Sequence, residues 1–191
     1  PCTQMREHPD ALPLFPVARG DGAWLVGHDG SRVLDAVSSW WTNIHGHAEA
    51  RIARAIGQQA HTLEQVILAG CSHAPAVELA ERLLARAPQQ AGHAPLAKVF
   101  YADNGSAGVE VALKMAYHWF HNQGIKDRTR FVALTGSYHG ETLGALSMGD
   151  LPLYRRVYAP LLLDVLFAPS PDAFGSRDEA GALACAEAAA D

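Results

Sequence analysis

The spacing of apolar residues changes near residue 49. Before that point, residues 23–26 and 32–37 are short runs of β-type side chains, separated by Gly27, His28, Asp29 and Gly30. The Asp-Gly step favours the positive backbone angles of a tight hairpin, so a small β-hairpin is expected. Pro13 and Pro16 keep the residues before them extended, and no helix is expected until well past residue 40. From Glu49 onward Ile52, Ala55, Ile56 and Gln59 recur at helical spacing with Arg51 and Arg54 on the other face, which predicts a helix of about three turns. A second helix is predicted over 74–87, where Pro75 suits the first turn and Val77, Leu79, Ala80, Leu83 and Leu84 form an apolar stripe that Pro88 stops.

Two short apolar runs follow, 98–103 (KVFYAD) and 130–135 (RFVALT), of the kind that become buried parallel strands. Between them Val109, Ala112, Leu113, Ala116 and Phe120 mark a helix, with Gly124 where a C-terminal cap belongs. Strand, helix and parallel strand make a right-handed βαβ unit, so the fold class expected is α/β with an open, mainly parallel sheet. No internal repeat or disordered linker interrupts it.

Composition narrows the function classes. With 191 residues, 49% of them hydrophobic and 18% charged, the chain can bury a sizeable core and is neither a disulfide miniprotein nor disordered. Its net charge is -5 and its basic residues are scattered, which argues against a nucleic-acid partner. Cys2, Cys71 and Cys185 are odd in number and widely spaced, as in a reducing compartment. Residues 1–16 contain no apolar h-region, and the most hydrophobic later stretch, 159–168, is broken by Pro160 and Asp164, so neither a signal peptide nor a membrane span is expected and a soluble, cytoplasmic protein is. The chain begins with Pro1 and stops inside an Ala-rich helical run, 178–191, from which a longer parent chain is expected.

Candidate chemistry gathers at two turns. Asp103, Asn104, Gly105 and Ser106 lead into the predicted helix, where first-turn N–H groups and the positive end of the helix dipole favour an anion, naturally a phosphate. Here two readings stay open: a phosphate site, or a plain helix cap by Asn104 or Ser106. The turn matches neither G-x-G-x-x-G nor the P-loop, which disfavours a dinucleotide or nucleoside triphosphate. The second turn runs from Gly136 to Thr142 and is expected beside the first. Tyr138 suits a flat ligand whose phosphate sits on Gly105 and Ser106, or simple packing on its own sheet. His139 reads as a base or as a structural hydrogen-bonding residue, and the role of Glu141 is open. Trp40 and Trp41 are adjacent and cannot both enter one core, so one is expected to line a pocket unless the pair serves a partner surface. The pairs His45/His47 and His118/His121 lack a third ligand at suitable spacing, and no metal is expected. Arg155 and Arg156 read as a solvated loop pair.

Taken together, SSWW (38–41), IHGH (44–47), HAPAVELAERL (73–83), FYADNGSAGVEVALKMA (100–116) and YHGETLGALSM (138–148) resemble the class III pyridoxal-phosphate aminotransferases, in particular the diaminopelargonate (DAPA) aminotransferases of biotin synthesis. The resemblance runs along essentially the whole chain. The paired Trp is specific to that group, whereas the YHG and GS elements are shared by all of class III.

It implies a fold-type I pyridoxal-phosphate-dependent transferase, with 1–48 an N-terminal segment belonging to the small domain and 49–191 the first part of the large cofactor-binding domain. It also implies that Gly105 and Ser106 hold the cofactor phosphate, that Tyr138 stacks on the pyridine ring and borders the substrate, and that Trp40 shapes the substrate pocket. The reaction implied moves an amino group from S-adenosylmethionine to 7-keto-8-aminopelargonate, giving 7,8-diaminopelargonate, in a homodimer with active sites at its interface. Cys2 stands where some members carry a substrate-facing Tyr. The Schiff-base lysine and the aspartate that pairs the pyridine nitrogen are expected beyond Asp191, since none of Lys98, Lys114 and Lys126 is placed to reach the cofactor. The 191 residues alone are therefore expected to be inactive and unstable, with an uncovered sheet edge. Two other readings are a class III ω-aminotransferase with a 2-oxoacid partner, and a noncatalytic module that binds a phosphate-bearing ligand.

Overall fold

The computed structural model describes residues 13–88, 92–174 and 179–190. Cys2, Asp178 and Asp191 lie outside them. The chain divides into two compact units between Val99 and Phe100.

In the first unit the expected hairpin is present and carries a third strand. β1 (Val17–Asp21), β2 (Trp24–Gly27) and β3 (Arg32–Leu34) form an antiparallel meander in the order β1-β2-β3, with Trp24 opposite Leu34 and Val26 opposite Arg32. Gly30 turns the chain at φ +83°, and Asp29 Oδ1 accepts the Ser31 N–H at 2.9 Å. Extended backbone ahead of Pro13 and Pro16 was foreseeable, but β1 lies beyond both prolines and finds its partner in β2.

α1 (Ser38–Trp41) departs from the expectation of no helix until well past residue 40. It is a single turn wound to the left: Ser38, Ser39, Trp40 and Trp41 have φ of 49°, 46°, 68° and 65°. α2 (Ala50–Thr62) and α3 (Ala74–Arg86) follow the apolar periodicity. Glu49 caps α2 by accepting the Ile52 N–H at 2.8 Å, and Pro75 sits in the first turn of α3, where its missing N–H costs nothing.

The second unit is built on α4 (Gly105–Asn122), which ends at Gly124, φ +77°. Its parallel pair differs from the one expected. Residues 98–103 form no ladder: Phe100 is 62% exposed, and an apolar run becomes a strand only beside a neighbour that offers a row of free N–H and C=O groups. The partner of β4 (Phe131–Leu134) is instead β5 (Val165–Ala168), in parallel, with Phe131 opposite Val165 and Leu134 opposite Ala168. The connection between them carries α5 (Leu143–Met148), α6 (Pro152–Arg155) and a 3₁₀ turn (Ala159–Leu161), enough chain for a parallel crossover.

α5 supplies the most buried residues of this unit. Ala145, Leu146 and Ser147 are buried together with Ala133 of β4, and the Ser147 hydroxyl donates to Leu143 O at 2.6 Å while accepting the Leu163 N–H at 2.8 Å. The apolar stripe of α4, with Phe131 and Met148, borders a cavity of about 290 Å³. Arg155 is not the solvated residue expected: it donates to Gly149 O at 2.5 Å and lies 4.8 Å over the Phe167 ring. α7 (Glu179–Ala190) accounts for the Ala-rich run.

Candidate functional site

The two turns singled out in the sequence meet. Asn104 is extended and its Oδ1 accepts the Ala107 N–H at 2.9 Å, so the cap of α4 belongs to Asn104 and leaves the Ser106 hydroxyl for another partner. That partner is the second turn. Ser106 Oγ accepts the Glu141 N–H at 3.4 Å, and Gly140, at φ +126°, lies so close that a Cβ there would overlap Ser106 Oγ. A side chain at residue 140 would meet both a disfavoured backbone angle and this hydroxyl.

The second turn is pinned at both ends. Gly136 N–H donates to Asp150 Oδ2 at 3.1 Å, Asp150 N–H donates to Ser137 O at 2.8 Å, and the Ser137 hydroxyl donates to Leu134 O at 2.6 Å. Further along, Glu110 reaches across from α4 to the start of α5, its Oε1 accepting from Gly144 N–H at 2.7 Å and Ala145 N–H at 3.3 Å. It does for α5 what Asn104 does for α4, and an anion is favoured there by the helix dipole. The Thr142 hydroxyl, ahead of the Gly144 and Ala145 amides, holds the Glu110 carboxyl below its ordinary range. Gly144 has no room for a Cβ, which would overlap Glu110 Oε2.

Between these anchors stands Tyr138, 53% exposed, its hydroxyl donating to Glu141 Oε1 at 3.2 Å and its ring 5.5 Å from that of Tyr154. The ring is thus oriented yet open on its surroundings. His139 borders the apolar cavity beside Val109, Leu113 and Met148.

These residues fit a phosphate-bearing ring. Among the described residues the Gly105 and Ser106 N–H groups meet no acceptor, and a Cβ at Gly105 would meet nothing within 4 Å, so the first turn of α4 is open to an anion. Among the described residues no group of three His, Cys, Asp or Glu gathers to hold a metal, and no helix is long and apolar enough to cross a membrane.

Trp40 and Trp41 belong to the other unit. They are 65% and 72% exposed with ring centroids 5.6 Å apart, so neither enters a core there. The adjoining cavity, about 310 Å³, is lined by Thr42, Asn43, Ile44, His45 and helix α2, without either indole.

Two residues that carry these geometries were missed in the sequence. Besides Glu110 there is Asp35, whose Oδ2 lies 2.7 Å from Ser39 Oγ and 2.7 Å from His47 Nε2. The Ser39 backbone N–H, then its hydroxyl, then His47 bring the Asp35 carboxyl down to about 2. His47 is accordingly a hydrogen-bond partner of Asp35.

The family described as Aminotransferase class-III matches residues 5–191. The adenosylmethionine-8-amino-7-oxononanoate aminotransferase of Synechococcus elongatus is 44% identical over 194 residues, which is 99% of this chain and 44% of that protein. The enzyme of the same name from Helicobacter pylori is 45% identical over 175 residues, 90% of this chain and 38% of that protein. The crystal structure of the Methanocaldococcus jannaschii enzyme of that name is matched with a TM-score of 0.79 at 39% identity, over 90% of this chain and 38% of the other. An ω-transaminase of Pseudomonas jessenii in complex with PMP is matched equally well, TM-score 0.79, at 28% identity over 94% of this chain and 38% of the other. The chain thus spans less than half the length of the curated relatives it matches.

Proposed function

The chain belongs to the class III aminotransferases, and from that premise we propose that the full-length protein transfers an amino group from S-adenosylmethionine to 7-keto-8-aminopelargonate, giving 7,8-diaminopelargonate in biotin synthesis. The observation that carries the cofactor assignment is the junction of Ser106 with Gly140 and Glu141, which sets an open helix N-terminus beside an oriented aromatic ring. The choice of substrates is supported by relatives of that name, 44% and 45% identical along nearly all of this chain.

Pyridoxal 5'-phosphate, when bound, supplies a carbonyl that accepts an amino group from one substrate and gives it to the next. In this reading the Gly105 and Ser106 N–H groups and the Ser106 hydroxyl hold its phosphate, a charge-assisted set at the positive end of α4. Tyr138 covers the ring, and Glu141 fixes the tilt of Tyr138 through its hydroxyl. Trp40 offers an apolar wall to the aliphatic chain of the substrate, and Tyr138 is assigned a substrate contact of its own. Lys114 lies on the third turn of α4 and Lys126 beyond its end; this reading takes neither of these, nor Lys98, as the lysine that binds the cofactor covalently and assigns that lysine to the protein outside this chain. The division at residue 48, a homodimer and a cytoplasmic location belong to the same proposal.

A class III ω-aminotransferase acting on other amines is favoured by the equal TM-score of the Pseudomonas jessenii structure. Donor specificity separates the two: with 7-keto-8-aminopelargonate as acceptor, the purified full-length protein should use S-adenosylmethionine and not alanine. Transfer from alanine alone would replace the first reading with the second.

A further inference from the structure

The left-handed turn α1 is expensive where it stands. Four consecutive L-residues at positive φ each bring Cβ against a carbonyl oxygen, and neither Ser nor Trp has the tolerance of Gly or Asn for that region. Burial of the indoles does not compensate within this unit, because Trp40 and Trp41 remain 65% and 72% exposed. Something else must hold the turn, and a part-buried polar clamp adjoins it.

The Asp35 side chain is 6% exposed and that of His47 15%. Asp35 Oδ2 takes the Ser39 hydroxyl and His47 Nε2, each at 2.7 Å, and the Asp35 carbonyl accepts the Ser38 N–H at 3.2 Å, so Asp35 grips the first two residues of the turn. His47 is itself fixed to the meander: its N–H donates to Gly22 O at 2.7 Å, its carbonyl accepts the Gly22 N–H at 3.1 Å, and a Cβ on Gly20 would overlap the His47 side chain. The chain of contacts runs from Gly22 through His47 and Asp35 to Ser39, which adjoins Trp40. Rigid sheet is thereby connected to a strained turn whose outward product is a pair of tilted indoles.

We propose that Asp35 is a positioning residue for substrate binding: its carboxylate holds Ser38–Trp41 in the left-handed turn and so sets where Trp40 presents its ring. The inference rests on the reading of Trp40 as a substrate wall.

The test uses the full-length, pyridoxal-phosphate-loaded protein. The circular-dichroism couplet of the two neighbouring indoles, assigned by its loss in Trp41→Phe, reports the turn without any assay. Asp35→Asn should reduce that couplet by more than half and raise the KM for 7-keto-8-aminopelargonate by about tenfold, with kcat falling less than KM rises. Adding Ser38→Gly to Asp35→Asn should restore most of both, because glycine adopts positive φ freely. If Asp35→Asn fails to fold, Ser39→Ala removes only the hydroxyl and should lower the couplet and raise KM by about two- to threefold. An unchanged couplet in the folded variant, or no recovery with Ser38→Gly, overturns the proposal. A lost couplet with an unmoved KM also overturns it, and Trp40→Ala then identifies the cause. A raised KM in Trp40→Ala leaves the substrate wall standing and removes Asp35 from it, whereas an unmoved KM there removes the wall itself.

Discussion

Glu110 Oε1 accepts the backbone N–H of Gly144 at 2.7 Å, across 34 residues of sequence. The helix that begins with Gly105 and Ser106 is thereby fastened to the helix that follows the Tyr138 turn. A change in the contact should displace both halves of the site together. Glu110→Ala leaves the first N–H groups of α5 without an acceptor and should cost about 1–3 kcal/mol of stability, while Glu110→Gln, which keeps an acceptor oxygen, should cost less. Gly144→Ala should resemble Glu110→Ala, because the added methyl overlaps the carboxylate. Denaturant titration of the three variants in the full-length protein checks the order.

Ser106→Ala removes a hydroxyl from the proposed phosphate site and should weaken cofactor retention by roughly 1.5–3 kcal/mol, the range for a hydrogen bond to a charged group. Asn104 already caps α4, so the helix should survive. Equilibrium dialysis against pyridoxal phosphate measures the loss. An unchanged affinity would return Ser106 to a role in joining the two turns only.

Tyr138→Leu should shift the absorbance of the bound cofactor and slow turnover, since a stacked ring contributes about 0.5–1.5 kcal/mol and also sets tilt. Tyr138→Phe keeps the ring and loses the contact with Glu141 at 3.2 Å, so it should fall between Leu and wild type. Absorbance spectra of the three proteins decide whether the ring touches the cofactor.

Asp35 gives a pH prediction whose sign follows from its partners. Its folded value, about 2, lies below the ordinary 3.8, so its contribution to stability is complete above 3.8 and is lost as the pH falls towards 2. The carboxyl carbon resonance of Asp35 should titrate with a midpoint near 2 in the folded protein. His47→Asn and Ser39→Ala should each move that midpoint up, but only part of the way, because the Ser39 backbone N–H, the largest cause, remains in both.

Much of this could be read from the chain, for physical reasons that also mark where reading stopped. α2, α3 and α4 were legible because an amphipathic helix writes its own period, as Val109, Ala112, Leu113 and Ala116 do. The β2–β3 hairpin was legible from its Asp-Gly turn, but the parallel pairing was not, since the run at 98–103 is as apolar as β4 and only the presence of a neighbour separates them. β5 was hidden behind Pro160 and Asp164 in a segment noticed only for its hydropathy. Gly105, Ser106 and Tyr138 stood out because turn residues carry local signals. Glu110 and Asp35 did not, because their effects depend on Gly144 and His47, which lie 34 and 12 residues away. The left-handed turn had no signal at all in Ser-Ser-Trp-Trp, residue types that seldom adopt it.

The most direct test of the account is a crystal structure of the full-length protein with pyridoxal phosphate bound. Phosphate oxygens should lie within hydrogen-bond distance of the Gly105 and Ser106 N–H groups and the Ser106 hydroxyl, with the pyridine ring against Tyr138. A phosphate held elsewhere, with the first turn of α4 out of reach and Tyr138 turned away from the ring, would contradict it.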